Sequence, residues 1–420
     1  MKKRDFLKNL ASISLASLPV SQGIQQLLSA VPDSTPKALA SNEAFWAKIR
    51  ADYKLKPDYI NLENGYYCMI PEPTLEKLIQ NMREVNYQAS HYMRTVRFEN
   101  KKKVANALAD MADCNHGELI VTRNATESLD TIIAGFPWQA GDEAVMAHQD
   151  YGAMQNMFRQ VENRQGIKVN VIDVPMHPKN DEEVVAAYEA AISPKTKLLM
   201  VCHIINITGH ILPIRKICDM AHSKGVEVMV DGAHAFGQFQ FSIKELDCDY
   251  YGTSLHKWLS APLSAGFLFV KREKVDQIWP LMAEGKREPG DISRLNHIGT
   301  HPCHTDLTIL DAIAYQNAIG GARKEERLRF IQRYWSEKAR KMEHVVVNTP
   351  ADPKRSCAIA NVGIKGMKPS DMADTLLNKY NIWTVAIDGA GVKGCRISPN
   401  VYTSLEELDT FVAALEEMKV

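Results

Sequence analysis

An α/β fold with a mainly parallel sheet, followed by a smaller C-terminal α+β domain, is what the sequence predicts, on three observations. From about residue 118, strand-like apolar runs alternate with helix-like stretches. After about residue 300 the alternation stops, and a long amphipathic stretch leads into shorter strands and helices. The chain has 420 residues, which at roughly 100 to 200 residues per domain accommodates two or three domains with large cores.

Composition narrows the class further. With 45% hydrophobic and 24% charged residues, the chain is far from disordered, collagen-like or coiled-coil sequences. Lys+Arg 50 and Asp+Glu 50 cancel, and no basic run exceeds Lys101–Lys103, a solvated helix face, so nucleic acid is not an expected partner. The eight cysteines are sparse and form no C-x-x-C pair, which excludes a disulfide scaffold, a zinc ribbon and a redox dithiol.

Residues 1–40 read as a leader and linker. Lys2, Lys3, Arg4 and Lys8 precede a mildly apolar run, Leu10 to Val20, that is too short and too rich in serine to anchor the chain in a bilayer. Lys3-Arg4-Asp5-Phe6-Leu7-Lys8 resembles the twin-arginine export signal, with lysine in place of the first arginine. Ala38-Leu39-Ala40 has the A-x-A form of a cleavage site, so the expected mature start is near Ser41 and the expected location is the periplasm. No later segment approaches about 18 consecutive apolar residues, so no membrane span is expected after leader removal.

Residues 41–300 are assigned to the large domain, with 41–61 as its N-terminal segment. Strands are expected at 118–122, 143–147, 167–172, 197–203, 226–231 and 265–270, with a Tyr-rich strand before Gly252. Helices are expected at 126–135, 152–164, 181–192 and 213–224. Residues 301–420 form the linking helix, Thr308 to about Met342, and the small domain. The latter has strands near 357–364, 383–387 and 394–398 and helices near 369–380 and 404–417.

Ligands of such sheets bind where the strands end, and here those ends are polar. Thr122-Arg-Asn-Ala-Thr-Glu-Ser128 offers hydroxyls and helix-start N–H groups, suited to capping the next helix or to holding a phosphate. Asp231 closes an apolar run, where an ionised carboxylate is costly unless a cation or hydrogen bonds compensate; it could equally cap a turn. Gly252-Thr-Ser-Leu-His-Lys257-Trp258 packs Ser254, His256 and Lys257 into a short loop, and a desolvated lysine there is a candidate imine-forming amine. An acid ending one strand and a Ser-x-His-Lys loop after the next meet the needs of pyridoxal 5'-phosphate (PLP). The carboxylate keeps the pyridine nitrogen protonated and the lysine carries the aldehyde.

On these motifs the chain resembles the class V aminotransferase family of PLP enzymes over about residues 60 to 417. That family includes isopenicillin N epimerase-like proteins, carbon–sulfur lyases and cysteine desulfurases. The resemblance implies the aspartate aminotransferase-like fold of PLP-dependent transferases, with a mainly parallel, seven-stranded-type large domain, and a homodimer. It implies Lys257 as the Schiff-base lysine and Asp231 as partner of the pyridine nitrogen. His234 and Asn206 fall where the family contacts the cofactor's phenolic oxygen and ring. Ala125, Thr126, Ser254 and His256 occupy the phosphate positions, and Tyr151 the stacking position. Arg396 resembles the arginine that clamps the substrate carboxylate, and Thr300, after Gly299, the step by which a second subunit reaches the phosphate.

Other residues keep two readings. His301 and His304 have metal-like spacing, but Pro302 breaks the helix between them and no third ligand is evident, so no metal is expected. Arg94 and Arg97, near His91 and Tyr92, could form an anion pocket or lie on the surface. Cys395 precedes Arg396, yet the stretch Asp388–Gly394, where a desulfurase would present its nucleophile, has no cysteine. An isopenicillin N epimerase-like reaction on an amino acid or its derivative is therefore the leading expectation. A carbon–sulfur lyase, an aminotransferase or a periplasmic siderophore-peptide tailoring enzyme are its alternatives. A dinucleotide-dependent oxidoreductase is disfavoured because no strand is followed by G-x-G-x-x-G, and a PLP-fold binding protein because every expected cofactor contact is present.

Overall fold

A computed structural model describes residues 18–29, 34–285 and 287–419. The twin-arginine-like element lies outside these residues. The strands are Ile60–Asn61 (β1), Leu119–Thr122 (β2), Glu143–Ala147 (β3), Lys168–Ile172 (β4), Thr196–Cys202 (β5), Glu227–Asp231 (β6), Tyr250–Ser254 (β7), Gly266–Val270 (β8), Val345–Val347 (β9), Ala360–Ile364 (β10), Ile382–Trp383 (β11), Val385–Gly389 (β12) and Val392–Ile397 (β13). Seven of them form one sheet in the order β2-β8-β7-β6-β5-β3-β4, in which β8 runs against both of its neighbours and the rest are parallel.

The central strands read as continuous apolar runs because both faces are covered, yet consecutive side chains still separate to opposite faces. Leu198 and Met200 of β5 join Leu129, Ile132 and Phe158 from the helices Ala125–Gly135 and Gly152–Gln165. Leu199 and Val201 join Leu108 and Ile217 from the helices Val96–Ala112 and Ile214–Ser223 on the other side. Each such side chain, fully withdrawn from water, contributes about 1.5–3 kcal/mol. After β3 the chain moves outward to β4, and after β5 it moves the opposite way through β6 and β7. The crevice at this reversal, beyond the carboxyl ends of the strands, is where the site lies.

The smaller domain is a four-stranded antiparallel sheet in the order β12-β13-β10-β9, covered by the helices Pro369–Tyr380 and Leu405–Glu417. Two differences from the sequence reading have physical reasons. The single linking helix is two, Cys303–Ile319 and Gly321–Ala339, because Gly320 takes φ +89 and turns the chain where the first helix, having left the large-sheet core, enters the C-terminal core with Tyr315 and Ile319. Ile309 and Ile313 pack under the large sheet, whereas Leu328, Ile331 and Trp335 pack in the C-terminal core.

The second difference is that the segment 41–61, grouped with the large domain on sequence, packs in that C-terminal core. Phe45, Trp46, Ile49 and Tyr53 lie with Ile397, Tyr402 and Phe411, and β1 pairs in parallel with β11. The expected cleavage sequence is built into the same core, since Leu39 and Ala40 are buried. Arg327, fully buried, fastens this segment: Nη1 donates to Ala40 O (3.0 Å), and Nη2 to Glu43 Oε2 (3.1 Å) and Thr403 O (3.2 Å). Arg327→Met keeps the volume and loses these bonds. It is expected to cost roughly 2 kcal/mol and to make residues 36–50 the first site of limited proteolysis. Unchanged thermal melting and cleavage elsewhere first would contradict the fastening role.

Candidate active site

A cavity of about 750 Å³ opens at the carboxyl ends of β5, β6 and β7. Ten of the residues singled out on sequence border it: Ala125, Thr126, Tyr151, Asn206, Asp231, His234, Ser254, His256, Lys257 and Arg396. Thr300 does not; it is exposed, outside the lining.

β7 ends at Ser254, and buried Leu255 and Trp258 pin the following turn so that Lys257 between them points into the cavity. Its Nζ lies 2.9 Å from His234 Nε2. Burial holds the Lys257 ammonium down to about 8, with Asp231 opposing and Arg396 adding to the shift, so at neutral pH it is still mainly the ammonium but carries about a tenth as free amine, far more than an exposed lysine. His234 is held well below the ordinary imidazole value, first by burial and then by Lys257, and is neutral. An ammonium can only donate, which makes Nε2 the acceptor and leaves the ring proton on Nδ1, a buried atom without a protein partner. His256, pushed down to about 4 by burial, likewise has an unpartnered buried Nδ1.

Asp231 ends β6 with Oδ1 accepting from Ala233 N (2.9 Å). Burial raises its carboxyl, opposed by that N–H and by Lys257. Behind it sits Asp150, which burial pushes up to about 7 despite the Ala147 N–H, with Asp231 adding to the shift. On the other wall, the helix Ala125–Gly135 starts at the cavity. Asn124 is its cap, accepting from Glu127 N (2.9 Å), and Ser254 Oγ accepts from Ala125 N (2.9 Å), tying β7 to the helix start. An eleven-residue helix beginning beside Thr126 and Ser254 presents positive dipole and hydroxyls to an anion.

Sequence reasoning missed Glu63. Arg396 is buried, and Glu63 binds it bidentately, with Nη2–Oε1 at 2.6 Å and Nε–Oε2 at 3.0 Å. Glu63 ends the short run Tyr59-Ile-Asn-Leu62, the same signature of an acid closing a strand that marked Asp231. Arg94 is exposed, and Arg97 stacks on Phe98 at 4.5 Å. His301 lies 3.0 Å from Lys101 Nζ, and among the described residues no group of three or more His, Cys, Asp or Glu is arranged to hold a metal.

The family model for aminotransferase class-V matches residues 67–411. The chain belongs to that family. Isopenicillin N epimerase of Amycolatopsis lactamdurans is 26% identical over 395 residues, covering 89% of this chain and 98% of the relative. Cysteine desulfurase from Thermococcus onnurineus NA1 superposes with a TM-score of 0.78 at 22% identity, covering 88% of this chain and 97% of the other. A C-DES mutant with glycine covalently linked to the PLP cofactor superposes with a TM-score of 0.79 at 19% identity, covering 88% and 99%.

The cavity of this class V chain fits the family's cofactor, PLP. A buried carboxylate that desolvation holds up and whose side chain is met by one backbone N–H, two buried imidazole nitrogens without partners and a helix start lined with hydroxyls are the complements of a pyridinium, a ring oxygen and a phosphate. Asp231, His234, Thr126, Ser254 and Lys257 would hold it.

The lowered Lys257 value fixes a pH dependence. Reductive capture of an aldehyde at Lys257 of the cofactor-free protein, followed by peptide mapping, should rise with pH, reach half its maximum near pH 8 and then level. Asp231→Asn removes the charge favouring the ammonium and should move that midpoint lower. A midpoint near 10 in both proteins would show that Lys257 is not desolvated.

Proposed function

We propose that the protein is an isopenicillin N epimerase-like PLP enzyme that labilises the Cα proton of an amino acid or amino-acid-derived substrate. The observation that carries this reading is the Lys257 amine, 2.9 Å from a neutral imidazole, in one cavity with Asp231 and Arg396. When bound, the cofactor supplies an aldehyde for the Lys257 amine and a ring that accepts electron density from Cα. Asp231 holds the proton on the ring nitrogen. His234 keeps Lys257 oriented and, being neutral, leaves the amine free to take a proton from Cα and return it. Arg396 fixes the substrate's carboxyl group, which sets which Cα bond faces Lys257.

Against a desulfurase reading, all eight cysteines are buried, and burial raises their thiols, Cys395 to about 11 and Cys68 and Cys357 to about 12. A persulfide-forming nucleophile needs the opposite environment.

Purified protein should carry a borohydride-reducible adduct mapping to Lys257. It should also wash deuterium into Cα of its substrate without releasing a side-chain fragment. Asp231→Asn should keep the cofactor and lower turnover by roughly two or more orders of magnitude, while Arg396→Ala mainly raises KM. Release of a sulfur- or carbon-containing fragment without Cα exchange would favour a lyase instead.

We also propose export in folded, cofactor-loaded form, because PLP is captured in a folded pocket and the leader resembles the signal for a route that carries folded proteins. A homodimer is the second part of this proposal. Tyr66, Leu263 and Leu281 border the cavity yet are 76%, 59% and 45% exposed, an apolar rim suited to a second copy. Periplasmic fractionation should yield a dimer by sedimentation whose N-terminus precedes Pro36, since cleavage after Ala40 removes buried Leu39 and Ala40. A cytosolic monomer retaining Met1 in its native host would refute both parts.

A further inference from the structure

The pairing of Arg396 has a chemical consequence for the substrate. Its inner edge, Nε with one proton of Nη2, is spent on Glu63. Its face is covered too, because a Cβ on Gly65 would stand 2.8 Å from Arg396 Cζ. What remains for a ligand is Nη1, now 3.4 Å from Asn206 O, and the second Nη2 proton. Glu63 is not a loose counter-ion that a ligand displaces at little cost. Its side chain is as buried as that of Arg396, at 6% against 8% exposure, and its Oε1 also accepts from Tyr66 N at 2.9 Å. The backbone behind it is pinned as well, since Glu63 N donates to Asn61 Oδ1 (3.0 Å), and Asn64 N and Gly65 N donate to Ser398 Oγ (2.9 and 3.0 Å).

We infer that Glu63 is a specificity-determining residue: by neutralising Arg396 it makes the site select substrates whose α-carboxyl group is uncharged, an amide or peptide carbonyl, over free amino acids. The inference rests on the proposed amino-acid-derived substrate and narrows it. An unpaired buried guanidinium attracts a carboxylate strongly and bidentately, and discriminates against the neutral analogue. A guanidinium already paired with a fixed carboxylate offers the newcomer no net charge. A free α-carboxylate would then place a second anion on one guanidinium whose charge Glu63 already balances. A neutral carbonyl oxygen accepts the remaining N–H groups without that penalty, and such discrimination between charged and neutral analogues is large when the site's polar groups are buried.

The experiment titrates the holoenzyme's cofactor absorbance with matched pairs, alanine, glutamate and phenylalanine against their α-carboxamides. The ratio of dissociation constants is the readout. The wild type should bind the amide of the best-bound pair at least as tightly as the acid. Glu63→Gln removes the charge that neutralises Arg396 while keeping an acceptor for its Nε edge, and should shift the ratio at least about tenfold toward the acid, and Glu63→Asp should keep the wild-type preference. A wild type that prefers the acid by more than about tenfold overturns the inference without reference to any variant, as does a folded Glu63→Gln protein with an unchanged ratio. No spectral response to any amine, acid or amide, would instead overturn the parent reading of an amino-acid-derived substrate, and this inference with it.

Discussion

A carboxylate buried at the end of an apolar strand dominates this molecule. Asp231 sits where β6 leaves a sheet covered on both faces, and an ionised oxygen there is expensive unless something cationic meets it. The neighbourhood is arranged around that cost. Lys257 lies close enough to lower the Asp231 carboxyl, Ala233 N–H spends itself on Oδ1, and the ring of His234 stays neutral rather than adding a competing charge. The same desolvation that burdens the acid depresses the lysine, so one feature of burial yields both an electrostatic anchor for a pyridinium and an amine ready to react.

The site is assembled from two cores that play unequal parts. The cavity residues assigned to the cofactor come from the large sheet, at the ends of β3, β5, β6 and β7 and at the helix starts beside Ala125 and Tyr151. The residues assigned to the substrate, Arg396 with its partner Glu63, belong to the C-terminal core through β13 and the segment after β1. Ser398 joins the two halves of that second wall, accepting from Asn64 and Gly65, so Arg396 and Glu63 move together if the domains shift. On the proposed assignment, cofactor retention and substrate choice fall to separate packing units, which meet at the cavity where Arg396 donates to Asn206 O.

What the sequence made legible follows from range. Strand and helix periodicity is local, so β3 and the helix Pro369–Tyr380 fall at their expected bounds, and residues at strand ends could be read as a set because parallel strands bring their carboxyl ends together. Pairings across long separations could not. Glu63 meets Arg396 across 333 positions, and although it closes a short run as Asp231 does, nothing near it in the sequence names its partner. The break at Gly320 is hidden because helix-forming sequence continues on both sides of it, and the turn is explained only by packing: the first helix runs from the large-sheet core at Ile309 and Ile313 into the C-terminal core at Tyr315 and Ile319, where the second takes over. Residues 41–61 look like a short preamble to the large domain, since pairing with β11 leaves no mark on a two-residue strand.

That early segment also imposes an order on biosynthesis. Ile60 and Asn61 of β1 find their partners at Ile382 and Trp383, and Arg50 reaches Glu407. At about 5–20 residues per second, the N-terminal segment waits on the order of tens of seconds on the ribosome for the chain that will cover it. Through that interval Phe45, Trp46 and Ile49 are apolar side chains without a home, while the sheet of the large domain, whose strands all lie between residues 119 and 270, already has its full complement. The large domain can therefore close first, and its companion core must wait for the last helix, which makes holding the N-terminus away from other chains a task for chaperones rather than for the protein's own fold.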